Sequence, residues 1–121
     1  MDVWGPARVR GQGHKRYFLL IIDDYSHYTT VFPLRSKGEF PEQNGIAERR
    51  IGMVMDVART SMIHAAAPHF LWPFAVQYAA HQINLQPHVS LPETTPTLRW
   101  TGKVGDASAL VRVCVCECIW V

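Results

Sequence analysis

The chain has 121 residues, of which 48% are hydrophobic and 18% charged, and its net charge is +2. This composition suits one globular domain at most, and so small a charge means that any basic surface must be local. The longest apolar run, Phe18 to Ile22, is too short to cross a membrane. No signal peptide precedes it, and three cysteines near the end cannot form a secreted disulfide framework. We expect an intracellular protein, in the nucleus or cytoplasm, with no membrane partner.

The first part of the chain favours extended structure. Tyr17 to Ile22 is a β-branched and aromatic run, and Tyr28 to Phe32 is a second, with a tight loop expected over residues 24–27. The two runs predict a β-hairpin. Because both alternating sets of side chains in the first run are apolar, we expect its strand to be covered on both faces by helices.

The hydrophobic period becomes helical from Asn44 to about His64. Apolar residues recur there at helical spacing: Ala47, Ile51, Val54, Ala58 and Met62. Asn44 is predicted to cap this helix. A second helix is expected from near Pro68 to about Asn84, with a buried side made of Leu71, Phe74, Ala75, Tyr78, Ala79 and Ile83. Repeated prolines after Leu85 predict an extended connection.

Three segments together resemble a known family. They read DVWGP over residues 2–6, YFLLIIDDYS over 17–26 and PEQNGIAER over 41–49, and the last is the most specific. Leu71-Trp72, the Asn84 region, Pro96 and Trp100-Thr101-Gly102 fit the same pattern. Up to about residue 110, the chain is similar to the integrase catalytic core of copia-type LTR retrotransposon Pol polyproteins.

This resemblance implies an RNase H-like fold and a polynucleotidyl transferase that depends on Mg²⁺ or Mn²⁺. Such enzymes hold two metals with two Asp and one Glu. One metal activates the attacking water or DNA 3′-hydroxyl, and the other stabilises the leaving oxygen. By the resemblance, Asp2 matches the first Asp and Glu48 matches the Glu, as catalytic and metal-binding residues.

The second Asp of this pattern has no counterpart. Only residues 35–43 separate the hairpin from the helix of Glu48, whereas a parallel crossover alone needs roughly a dozen residues. We interpret the gap as an internal deletion, and the position of Asp2 as a truncated first strand. We therefore expect no strand transfer and no productive metal binding.

Other carboxylates offer poor substitutes for the missing Asp. Asp23 and Asp24 are neighbours at a strand end and point to opposite faces, so at most one of them would serve. Glu39 and Glu42 lie in the short connection. Turn capping by the Asp pair and a solvated surface position for the Glu pair are the favoured interpretations.

The predicted architecture is an incomplete RNase H-like α/β fold, in which an antiparallel hairpin or three-stranded sheet packs with two helices. We expect an integrase remnant over 1–110, made of a hairpin part (1–34), a helical part (44–84) and an extended part (85–110), followed by a divergent tail (111–121). The first strand lacks a partner on its far side, which predicts marginal stability with self-association or partial unfolding.

Basic residues near the matched segments predict DNA contacts, to retroelement ends and target duplex by the resemblance. The candidates are Lys15, Arg16, Asn44, Arg49 and Arg50, with Arg8 and Arg10 adding to the front. Phosphate contacts do not need an intact catalytic set. For any single arginine, an ordinary solvated position is the alternative. For the whole chain, the alternative is a non-catalytic DNA-binding or self-association module.

The three cysteines alternate at Cys114, Cys116 and Cys118. No fourth ligand stands at the spacing that structural zinc sites use, so incidental or buried thiols are favoured over a metal site.

Overall fold

The computed structural model describes residues 1–38, 45–88 and 93–105. Its elements in chain order are β1 (Asp2–Trp4), β2 (Tyr17–Ile22), β3 (Thr29–Leu34), α1 (Gly45–His64), α2 (Trp72–Asn84) and α3 (Pro96–Thr101), with a 3₁₀ turn at His69–Leu71. The predicted hairpin and the two main helices are confirmed, as is the α/β class. No helix in these ranges is long and apolar enough to span a bilayer.

The sheet is antiparallel throughout and has the order β1-β2-β3. Asp2 lies opposite Leu20, and Leu20 lies opposite Val31. β2 is thus the central strand, and β1 forms an edge of the sheet within the described ranges. This agrees with the prediction that the first strand has an unpaired edge.

Only one face of the sheet packs on helices. Phe18, Leu20 and Val31 are buried on that face against α1 and α2. On the opposite face Leu19 is half-buried, and Phe32 is 48% exposed. The prediction of cover on both faces is therefore wrong for the described residues, because both long helices pack on the same side.

Helix α1 buries the predicted stripe. Ala47, Ile51, Val54 and Ala58 are buried, and Met62 is half-buried against the same core. The helix ends at His64, and Ala66, two residues further on, has a left-handed backbone with a φ of 50°.

The buried face of helix α2 differs in part from the predicted one. Ala75, Ala79 and Ile83 are buried as expected, but Phe74 is exposed, and Val76 and Ala80 are buried instead. Spacings of three and four residues from Trp72 define this face and leave Phe74 outside it. The predicted Tyr78 is half-buried and packs with Leu71 in a small separate cluster.

The chain after α2 is not wholly extended, contrary to the prediction for 85–110. Pro96 begins α3, where its missing N–H costs nothing, and the Thr95 hydroxyl accepts a hydrogen bond from the Leu98 N–H at 3.2 Å. Gly102 ends the helix with a φ of 74°. Several predictions lie outside the described residues: the Asn44 cap, the Glu39 and Glu42 positions, and the tail with its cysteines.

Candidate active site

Asp2 and Glu48 line the same cleft, which has a volume of about 330 Å³. Asp2 is 6% exposed, and its Oδ1 accepts a hydrogen bond from the backbone N–H of Val3 at 2.8 Å. Glu48 is exposed at the rim. The other residues that line this Asp2–Glu48 cleft are Val3, Trp4, Gly5, Pro6 and Ile51. Two carboxylates far apart in the sequence therefore share one surface depression.

Strand register and helix packing together produce this arrangement. Asp2 faces Leu20 across the sheet and so projects to the side on which α1 packs. Ala47 and Ile51 fix the first turns of α1 on that side, because both are buried. Glu48 follows Ala47 directly and is thereby held beside the start of β1.

The described donors do not fit a two-metal centre. No group of three or more His, Cys, Asp or Glu side chains is arranged to hold a metal within residues 1–38, 45–88 and 93–105. One Mg²⁺ typically takes one or two carboxylates and keeps several waters, so Asp2 and Glu48 match at most a single ion. In-line phosphoryl transfer by a metal pair needs both positions.

Asp23 caps the turn between β2 and β3. Its Oδ2 accepts hydrogen bonds from the Ser26 hydroxyl at 2.7 Å and from the Ser26 N–H at 2.8 Å. These two bonds, the hydroxyl first, hold the pKa of Asp23 below its usual value. The capping interpretation is confirmed for Asp23, while Asp24 is exposed at the same turn.

The predicted DNA-binding residues do not form one cluster. Arg49 is exposed next to Glu48, whereas Lys15 and Arg16 precede β2 and are half-buried. Leu20 is the residue that faces Asp2 across the sheet. Arg16 precedes Leu20 by about 13 Å along the extended chain, at about 3.3 Å per residue. The buried Nε of Arg16 has no hydrogen-bond partner within the described ranges.

Arg50 is buried, with 4% of its surface exposed. This burial lowers the pKa of its guanidinium. The position conflicts with the predicted phosphate contact, since a phosphate cannot approach a side chain that the core covers. Arg50 was expected at the surface because arginine almost never occupies the buried stripe of a helix without a partner.

A second cavity was not predicted from the sequence. It has a volume of about 350 Å³ and shares Trp4 and Pro6 with the Asp2–Glu48 cleft. Its lining includes two cationic side chains, Arg8 and Arg59, together with His69. We call it the Trp4–Trp72 cavity after its two indoles. The helical spacing of Met55, Arg59 and Met62 was the one sequence signal that pointed to a shared face.

Comparison with known proteins relates the chain to transposon polyproteins. It is similar to the retrovirus-related Pol polyproteins from transposons RE1 and RE2 of Arabidopsis thaliana, each 23% identical over 97% of the chain. It is 25% identical over 90% of its length to the corresponding polyprotein from transposon TNT 1-94 of Nicotiana tabacum. The chain spans only 11–12% of the length of these relatives.

These alignments extend over 162 to 168 residues, which is more than the 121 residues of the whole chain. The relatives therefore have positions within the aligned region that this chain lacks. No model of a known protein family matches the chain, and no solved structure matches it.

Proposed function

We propose that this chain is a remnant of the integrase catalytic core of a copia-type retrotransposon Pol polyprotein. In this proposal it has an incomplete RNase H-like fold, binds DNA and carries out no strand transfer. The observation that carries the proposal is the shared cleft of Asp2 and Glu48, one on the first strand and one on a helix. These are the elements on which the resemblance expects the first Asp and the Glu.

The proposed loss of activity rests on the ligand count. Two carboxylates meet in the cleft, and the family chemistry uses three around two metals. Alignments longer than the chain agree with an internal deletion. The connection between β3 and α1 is where we propose that the deletion lies, since the second Asp belongs there in the family.

The proposed DNA contact rests on one exposed cation beside the cleft and on two more further along the sheet. Arg49 is exposed beside Glu48, and Lys15 and Arg16 offer charge further along the sheet. Phosphate contacts of this kind fix a protein on DNA without reading sequence, and they weaken steeply with salt.

Self-association is a second candidate function, favoured by exposed apolar side chains. Phe32 on the open face of the sheet is 48% exposed, and Ile63 at the end of α1 is 81% exposed. A contiguous apolar face commonly marks a contact site between proteins, and on this face Phe32 lies opposite the half-buried Leu19. Sedimentation velocity across a concentration series tests it: a dimer that Phe32→Ser abolishes supports association, and a monomer at all concentrations contradicts it.

Metal-dependent nicking tests the enzymatic part of the proposal. Supercoiled plasmid is incubated with the protein and either Mg²⁺ or Mn²⁺, beside the Asp2→Asn variant. We expect no cleavage above background from either protein. Cleavage that needs metal and disappears in Asp2→Asn would contradict the proposed inactivity, and it would require a further ligand supplied from outside the described residues.

Salt-dependent retention tests the DNA-binding part. Duplex DNA is titrated at several salt concentrations with the unmodified protein, Arg49→Gln and a control, Arg99→Gln. Arg99 stacks on the ring of Tyr25 and does not line the cleft. We expect affinity to fall with salt and Arg49→Gln to reduce the slope by about one unit. Equal slopes for the three proteins would remove Arg49 from the interface.

A further inference from the structure

We propose that the Trp4–Trp72 cavity binds a nucleotide, with an unstacked base in its apolar interior and the phosphate at its cationic residues. The choice of a nucleotide rather than another aromatic anion rests on the proposed DNA-related function. The cavity itself, its lining and its charge are independent of that function.

The interior of the cavity suits a flat apolar group. Its volume of about 350 Å³ falls within the range of about 300–1,000 Å³ that small-molecule sites occupy. Its apolar lining includes Trp4, Met55, Ala58, Met62, Trp72 and Val76. Indole edges and thioethers make favourable contacts with aromatic rings.

Hydrogen bonds and ring contacts hold the walls in place. The Nε1 of Trp72 donates to the carbonyl of Val9 at 2.9 Å, and the N–H of Ala7 donates to the carbonyl of Arg16 at 2.7 Å. The Trp4 ring stacks on Phe18, with 5.2 Å between centroids. These contacts tie the segment after β1 to both β2 and α2, so a ligand would find the cavity formed before it binds.

The charge of the lining selects an anion. Arg8, Arg59 and His69 line the cavity and are exposed, and none of its described lining residues is acidic. Guanidinium groups bind phosphate through paired, charge-assisted hydrogen bonds. An apolar interior with two arginines therefore matches a molecule that is aromatic at one end and anionic at the other.

The cavity also adjoins the Asp2–Glu48 cleft. Trp4 and Pro6 line both depressions. A nucleic-acid strand that passes Asp2 and Glu48 would thus bring a neighbouring nucleotide to the cavity. Bases that are unstacked from a strand commonly bind against aromatic side chains, with cationic residues along the backbone.

Isothermal titration with adenosine 5′-monophosphate tests this inference, with adenosine and inorganic phosphate as separate ligands. We expect the monophosphate to bind at least tenfold more tightly than either part alone. Arg59→Gln should weaken its binding about tenfold, which corresponds to about 1.4 kcal/mol. Arg99→Gln is the matched control, since Arg99 stacks on Tyr25 and does not line the cavity, and it should leave binding unchanged.

A second variant separates the base from the phosphate. Met62→Trp fills the interior and should abolish the advantage of the monophosphate over inorganic phosphate. The inference fails if the monophosphate binds no more tightly than phosphate, or if Arg59→Gln and Arg99→Gln behave alike. Retention of duplex DNA by these variants distinguishes the two proposals: retained duplex binding without nucleotide binding overturns the cavity site alone.

Discussion

The carboxamide of Asn84 hydrogen-bonds both backbone groups of Thr29. Its Nδ2 donates to the Thr29 carbonyl at 2.8 Å, and its Oδ1 accepts from the Thr29 N–H at 2.8 Å. Asn84 is 2% exposed and Thr29 is 1% exposed. The last residue of α2 thereby supplies both partners that the first residue of β3 needs, and it fixes the helix on the edge of the sheet.

Replacing Asn84 should destabilise the fold strongly. Asn84→Ala leaves a buried N–H and a buried carbonyl without partners, which costs about 2–4 kcal/mol of unfolding free energy. Urea denaturation measures the loss, and Gln86→Ala, at an exposed residue just beyond α2, is the control. A loss below about 1 kcal/mol for Asn84→Ala would mean that water replaces the carboxamide.

Ala66→Gly should stabilise the protein. Ala66 adopts a φ of 50° after α1, and its N–H donates to the Ile63 carbonyl at 3.1 Å. Glycine takes this left-handed conformation without the steric cost that an alanine Cβ adds, so we expect a gain of about 1 kcal/mol. Thermal unfolding measures it. Ala65→Gly, one residue earlier, should instead lower the melting temperature, and a fall in both variants would contradict the argument.

Arg50→Met should be neutral or stabilising. The guanidinium is buried and its pKa is lowered by that burial alone. A methionine fills a similar volume with no charge to desolvate, so we expect a gain of up to about 2 kcal/mol. Denaturant titration beside Arg49→Met, at the exposed neighbour, measures the difference. A large loss for Arg50→Met would reveal an anionic partner for Arg50.

Stability should fall as the pH drops from 7.5 towards 5. His88 stacks on His27 with 4.7 Å between ring centroids. Burial first, and then the charges of Arg50 and His27, lower the pKa of His88 from its model-compound value of 6.5. Because the unfolded chain takes up this proton more readily, the folded state loses stability as the pH falls below 6.5.

His88→Gln should flatten this pH dependence of the melting temperature, and His81→Gln, at an exposed histidine of α2, should not. The Asp23 carboxylate near His27 titrates separately, at lower pH, since its pKa is lowered. An unchanged slope in His88→Gln would assign the dependence to other groups.

The periodic patterns predicted where helices and strands lie better than they predicted which face of each is buried. The α1 stripe is confirmed, since four of its five residues are buried in the core and the fifth, Met62, is half-buried against it. The prediction was partly wrong in α2, where Phe74 was expected to be buried but is exposed, and where Val76 and Ala80 are buried instead. In β2, apolar residues on both faces predicted two covering layers, although only the layer on the Phe18 side is present in the described ranges.

The candidate site was predictable only through motif resemblance. Nothing in local sequence joins Asp2 to Glu48, since their meeting depends on the register of β1 against β2 and on how α1 packs. Arg50 and the Trp4–Trp72 cavity escaped prediction for the same reason: burial and concavity arise from tertiary packing, and the spacing of Met55, Arg59 and Met62 supplies only one wall of the cavity.

The strand pairs β1–β2 and β2–β3 and the helix pair α1–α2 each form between elements that follow each other along the chain. β3 ends at Leu34 and α1 begins at Gly45. Coding sequence gained or lost at that junction would leave all strand registers and the helical hairpin unaltered. The internal deletion that we propose at this junction would therefore remove residues between β3 and α1 while the sheet and the helical hairpin persist.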